Sequence, residues 1–492
     1  MNDLWTIGLA VATTLGAWAS RALPWSAGAA VAATGLVIRR PALLCVGAAL
    51  LASGLGARAW DGTAPLHAAP FDGVVTLLDD PEAVNGAIRV TVRASGHRVE
   101  AWARGGAGRR LAVRQAGEHV GVVGELGPVR PVVRRLLAER HIAGQLQISR
   151  VFDHDHGDPL SRGANRVRRA LVDGAATMSP AERALFTGFV LGDDRAEPRD
   201  LVDDFQASGL SHLTAVSGEN LAFLMVLAGP ALRRLTLVPR FCVTVGLIGW
   251  FALLTRFEPS VVRAAAMAAI AATATVLGRP ASTIRLLSLA VAVMVLIDPL
   301  LVWSVGWWLS VGATAGIAGL ATPLAARLPG PRPLAQALAV TVAAQVGVAP
   351  VAITAFGGLP VVSVPANLLA VPVAGPLMMW GLPAGVVAGL VPPTAAVLHT
   401  PTRLGVRWIA LVARVGARAP LGEANAAVMI GVGVVVLAVV WVRIASPGAR
   451  GSPNGRVGAW RRRAAGRRGR RGRDGGRGGA GGGEGSASDP SP

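Results

Sequence analysis

The sequence contains no lysine and no tyrosine, and all 48 of its basic residues are arginine. Without lysine there can be no P-loop of the GxxxxGK[ST] form, no Schiff-base lysine and no Ser–Lys dyad. The chain therefore does not bind ATP through a P-loop of its own. Without tyrosine there is no tyrosine nucleophile. Cysteine is nearly absent: Cys45 and Cys242 both lie in apolar runs. They read as small core residues, and two cysteines so far apart make neither a disulfide framework nor a zinc site. Charge is also scarce. Charged residues make up 15% of the 492, where a soluble domain has about 25%. Acids are scarcest in the apolar C-terminal half, where residues 206–442 hold 13 arginines but only Glu219, Glu258, Asp298 and Glu423.

What is abundant is apolar. Hydrophobic residues are 52% of the chain and the mean hydropathy is +0.50. That composition belongs to a polytopic membrane protein, not to a string of soluble domains. Apolar runs fall at 4–20, 24–38 and 41–57. A polar stretch then extends from Arg58 to about Ser208, and further runs follow at 211–229, 238–255, 260–278, 285–297, 301–322, 334–356, 360–375, 376–391 and 425–443. The run at 395–420 carries Arg403, Arg407, Arg414 and Arg418 and reads as an interfacial or re-entrant helix. The expected fold is an all-α polytopic membrane protein with about 12 transmembrane helices and one small extracytoplasmic β-barrel insert. Placing Arg39 and Arg40 in the cytoplasm puts the N-terminus inside and the insert outside. Arg233, Arg234, Arg240, Arg279, Arg285, Arg327 and Arg332 then fall inside, and Asp298 and the Gly357-Gly358 turn outside. The expected divisions are N-terminal helices over 1–57, the insert over 58–158 and an amphipathic linker over 159–208. A channel-type membrane domain over 209–443 and a cytoplasmic arginine- and glycine-rich tail over 444–492, expected to be disordered, complete the chain.

Within the insert, partial alternation predicts strands at 70–78, 86–95, 97–104, 118–126 and 142–151. Five short strands in that length fit an OB-type barrel. Such barrels bind single strands by stacking bases on aromatics in a basic groove. Here the candidates are Trp102 with Arg98, Arg104, Arg109 and Arg110. Residues 160–180 predict an amphipathic helix able to lie on the membrane surface. The run His154–Asp158 (HDHGD) matches the start of a metallohydrolase signature, but Pro159 stands where the next histidine ligand belongs. It reads as a solvated loop, and neither a metal site nor a cofactor is expected.

Polar side chains inside apolar runs are the candidate functional residues, because ionisable groups in a bilayer are costly and face a polar path or a partner. Ser208, His212 and Glu219 share one face if 208–220 is a single helix, and Ser217 and Asn220 lie beside them. Arg263 begins another span and could pair with Glu219 or Glu258. Asp298 ends a span, and Trp303, Trp307 and Trp308 after it read as an interfacial belt. Gln345 and Asn367 are polar groups in runs interrupted by Pro350, Pro365, Pro372 and Pro376, where broken helices are expected.

The blocks LGDDR, FQASGLSHLTAVSGENLAF, FEPSVVRAAAMAA, DPLLVWSVGWWLSVGATAGI and AAQVGVAPVAITAFGGLPVVSVPANLLAVP, in this order over 185–391, resemble the ComEC-type competence channel family. The resemblance implies a channel for single-stranded DNA across the bacterial cytoplasmic membrane during natural transformation. Its expected translocation path is drawn from Ser208, His212, Ser217, Glu219, Asn220, Arg263, Asp298, Gln345 and Asn367. It also implies membrane lipids, a DNA receptor protein, a separate nuclease and a cytoplasmic motor as partners, with homo-oligomers possible. Many relatives carry a C-terminal metallo-β-lactamase-like domain where this chain has its arginine-rich tail, so no hydrolase activity is expected. Two other readings stand beside it. One is a secondary transporter or lipid flippase using His212, Glu219 and Arg263. The other is a membrane scaffold whose tail recruits nucleic acid or anionic lipid.

Overall fold

The computed structural model describes residues 2–214, 218–278, 281–419 and 422–424. All of these belong to one compact unit, Met1–Ile430; the second unit, Gly431–Pro492, lies outside the described residues, as do the expected span at 425–443 and the tail. Helices dominate. Among the described residues six are long and apolar enough to cross a membrane: Pro41–Asp61, Leu237–Leu254, Pro259–Val276, Val305–Ala325, Arg332–Phe356 and Ser363–Leu390. Shorter apolar helices are Trp25–Val37, Gly218–Leu232 and Thr283–Ile297, and Asp3–Ala19 packs beside Pro41–Asp61. The chain is a multi-pass membrane protein.

Proline misleads the sequence reading at two places: Arg332–Phe356 runs unbroken through Pro350. The runs 360–375 and 376–391 are one 28-residue helix, Ser363–Leu390, which continues through Pro372, Pro376 and Pro383. A proline removes one amide and crowds the carbonyl four residues back. Within a packed bundle neighbouring groups compensate, so the helix carries on. Cys242 also departs from expectation, since it lies exposed on its helix. An apolar run has the same composition whether it faces protein or lipid.

The polar stretch contains a six-stranded sheet. Its strands are β1 (Ala69–Leu77), β2 (Glu82–Val84), β3 (Ala87–Ala94), β4 (His97–Ala103), β5 (His119–Pro128) and β6 (Ile142–Asp155). Five of them fall where alternation places them; β2 is additional, and β6 runs on through His154 and Asp155, which were expected in a loop. Neighbours run β1-β5-β6-β4-β3, antiparallel except for β4 and β6, and Thr76 and Leu77 of β1 pair back onto Arg93 and Val92 of β3. Alternate residues point inward: Val75, Leu77, Val90, Val92, Val99, Ala101, Val120, Val122 and Leu146 form a separate apolar core.

The amphipathic helix is Pro159–Gly174, capped by Asp158, whose carboxylate accepts from the Leu160 and Ser161 amides. It packs against Ser363–Leu390 with backbones almost touching: a Cβ on Gly389 would stand 2.0 Å from the Ala170 carbonyl, and one on Gly174 2.3 Å from that of Gly385. Such approach needs residues without side chains.

Candidate functional site

Contacts between the sheet and the helices place the insert at one end of the bundle. Asp80 follows β1 and is the hub. Its carboxylate meets Arg168 at 2.9 Å, Arg256 at 2.7 Å and Arg195 at 3.7 Å, and it also accepts from the Ala116 amide. Asp193 joins Arg168 at 3.2 Å and Arg195 at 2.6 Å. Burial pushes the Asp80 carboxyl up, but Arg168, Arg256 and Arg195 together outweigh it and hold it at about 2. Arg256 and Phe257 both have left-handed backbone, φ 58° and 55°. That conformation costs a non-glycine residue roughly 1–2 kcal/mol, and here the turn presents the Arg256 guanidinium to Asp80 and Asn165. The LGDDR turn is thus part of a five-charge knot that ties insert, linker helix and the end of Leu237–Leu254 together. Next to it, burial, then Asp194 and Asp193, push Glu197 up to about 7.

Asp298 also joins the insert to the helices. It accepts from the Leu300 amide and sits 2.9 Å from His141 Nε2, just before β6. A span-ending aspartate is well placed to cap the next turn. At the other end of the bundle Asp3 pairs with Arg285 at 2.8 Å.

The expected continuous polar helix over 208–220 is broken. Arg199–Ala207 ends, Gly209 takes φ 71°, and helical backbone resumes at Ser211. Ser217 lies outside the described residues. Gly209 is required by its backbone and because a Cβ there would stand 2.5 Å from that of Ser363. The break redistributes the polar residues. Ser208 is fully buried against Gly416 and bonds the Phe205 carbonyl. Asn220 donates to the Phe189 carbonyl at 2.8 Å, satisfying an end of Pro180–Leu191. Both are structural positions in this arrangement.

His212, by contrast, lies beside the Gly209 backbone and the Asn367 side chain. Asn367 donates to the Ser363 carbonyl at 2.7 Å, and Gln345 donates to the Ser363 hydroxyl at 3.0 Å. Three helical segments thereby converge on Ser363, which sequence reasoning did not single out. His212 remains accessible at its surface although protein surrounds it, as expected of a side chain lining a recess.

Glu219 and Arg263 form a second group. Both line a cavity of ≈ 340 Å³ with Ser260, Met294, Trp307, Ser310 and Thr314. Arg263 is 7% exposed and lies over the Trp307 ring, 5.5 Å from its centroid. Trp307 is therefore no interfacial belt residue; only Trp303 is exposed, stacked on Trp18. Among the described residues no acid lies within 4.0 Å of Arg263, so the expected pair with Glu219 does not form. Its Nε and Nη1 have no hydrogen-bond partner.

The insert candidates do not form one patch. Arg98 sits with His97 and His141 in a cleft beside Gly62, at the start of β4. Arg104 and Arg109 are exposed beyond its far end, about 20 Å away at strand rise, and Arg110 is bound to the Val151 carbonyl. Trp102 is half-buried and donates to Glu100 at 2.9 Å. His154 and His156 are exposed edge-to-face neighbours, and no group of three metal-ligating side chains occurs among the described residues.

The family described as Competence protein matches residues 189–446, more than half of the chain, from the LGDDR turn through the broken segment and both polar groups. The chain belongs to this family. Membership ties it to DNA uptake in competence, and the matched region is of channel type, not catalytic by itself. No match was found among curated proteins, nor among solved structures.

Proposed function

We propose that the protein is a channel carrying single-stranded DNA across the bacterial cytoplasmic membrane. The carrying observation is the break at 208–210, which lies inside the family region and sets His212 beside Asn367. Non-helical backbone at membrane depth is tolerated where protein buries it or it lines a polar cavity. We assign His212, Asn367, Gln345, Glu219 and Arg263 to the path, with Ser363 as the hub of the first group. The acid-poor interior supports passage of a polyanion, since phosphate contacts dominate nucleic-acid affinity. The ring of strand pairings, with β4 and β6 parallel, supports reading the insert as an OB-type barrel on the outer face. Arginine placement supports that sidedness. A DNA receptor, a separate nuclease and a cytoplasmic motor are then the expected partners.

The test is uptake of labelled DNA in a strain deleted for this protein. The full chain restores label in the cytoplasm and His212→Ala with Asn367→Ala does not, at equal membrane abundance. Label reaching the cytoplasm without the protein would refute the channel. Restoration of a small solute or lipid flux but not of DNA would favour a transporter.

A further inference from the structure

Among the described residues Arg263 has no ion-pair partner, and its guanidinium lies over the Trp307 ring. Arg263 lies four residues into Pro259–Val276, about 6 Å along the axis, and its side chain is turned inward, 7% exposed. Its nearest acidic influence is Glu258, which acts through space without forming an ion pair. A buried unpaired guanidinium is costly, and its plane is held on Trp307 while it borders the cavity. Beside it the walls supply the Ser310 hydroxyl and an apolar side containing Met294, while the Thr314 hydroxyl donates to the Ser310 carbonyl.

We propose that this cavity is a single-phosphate station, binding one phosphodiester monoanion of the passing strand through Arg263. The proposal rests on the channel reading above. A guanidinium fork fits the two unbridged oxygens of a phosphodiester, the Ser310 hydroxyl adds a donor, and the apolar wall accommodates the flanking sugar. One guanidinium offers one fork, so the station holds a single phosphodiester at a time.

The test uses the full chain in nanodiscs of zwitterionic lipid. The probes are dimethyl phosphate, a short oligothymidylate, and the same oligomer with uncharged methylphosphonate linkages. The wild type binds the phosphodiester oligomer about tenfold tighter than the uncharged one, as charge-assisted hydrogen bonds require. In Arg263→Gln that ratio falls to about one, while Arg263→Lys keeps part of it. Ser310→Leu, which fills the cavity with Arg263 intact, abolishes the discrimination as well and covers the case in which Arg263→Gln fails to fold. An unchanged ratio in folded Arg263→Gln overturns the proposal. So does loss of oligomer binding when anionic lipid is added to the wild type but not to Arg263→Gln, which would assign the site to a lipid headgroup. If the channel reading alone fails, dimethyl phosphate still binds in an Arg263-dependent way while the complemented strain takes up no DNA.

Discussion

Two buried arginine sites in this protein differ in one respect. At the seam, Arg168, Arg195 and Arg256 converge on Asp80 and Asp193, and each of the three has a carboxylate within 2.6–2.9 Å. In the cavity, Arg263 has a tryptophan face beneath it and, among the described residues, no ion pair. Both sites take charge out of water, but only the first satisfies it internally. A closed knot has nothing left to offer a ligand and fixes one geometry. An open charge is available, and its cost falls only when something anionic enters.

Breaking the knot gives the largest effect. Asp80→Ala leaves three arginines around an empty acceptor and should cost about 3–5 kcal/mol, the penalty for removing one partner of a buried ionic group. Thermal unfolding in detergent and proteolysis of the insert measure it. Arg263→Gln, in contrast, should leave stability unchanged or raise it, and the comparison fails if both variants unfold alike.

Acidity sharpens the contrast. Asp80 has a depressed native value, about 2, so its contribution is present above pH 4 and disappears only as pH falls towards 2. Glu197 has a raised one, about 7. The folded state then holds its proton where the unfolded chain does not, and stability declines as pH rises from about 4.5 to 7. Glu197→Gln should remove that decline, worth roughly 2–3 kcal/mol at most, in unfolding curves taken between pH 5 and 8.

Asn367→Leu should cost about 1–3 kcal/mol, because it strands His212 and replaces a satisfied amide. Uptake should fall further than membrane abundance does. The smallest effect is expected at Trp102. Its indole is already engaged by Glu100, so Trp102→Ala should change oligonucleotide affinity by less than the ~1–3 kcal/mol of a free stacking platform. Fluorescence anisotropy with the full chain decides this, and a loss at the top of that range would make β4 a binding surface.

The sequence made the strands legible because Val90, Val92 and Val99 alternate with polar neighbours, and local patterning suffices for that. It named His212, Gln345 and Asn367 because polar groups stand out against apolar runs. It could not show that Gly209 breaks the helix, since a lone glycine also occurs inside helices, nor that Pro372, Pro376 and Pro383 do not break one. Asp80, Arg168 and Arg256 were invisible as a unit because their meeting depends on packing between distant segments. The available signal was LGDDR, an acidic and basic turn next to a span, noted as a family block without a structural role.

The knot also imposes an order on synthesis. Asp80 leaves the ribosome 88 residues before Arg168 and 176 before Arg256. The sheet can close on its own apolar core well before then, but it cannot be fastened until the Leu237–Leu254 helix has been threaded and its final turn has surfaced beside it. A nascent chain halted before Arg256 therefore displays a finished insert on an unfinished mooring. The last strap is delivered by the membrane segment whose correct insertion it certifies.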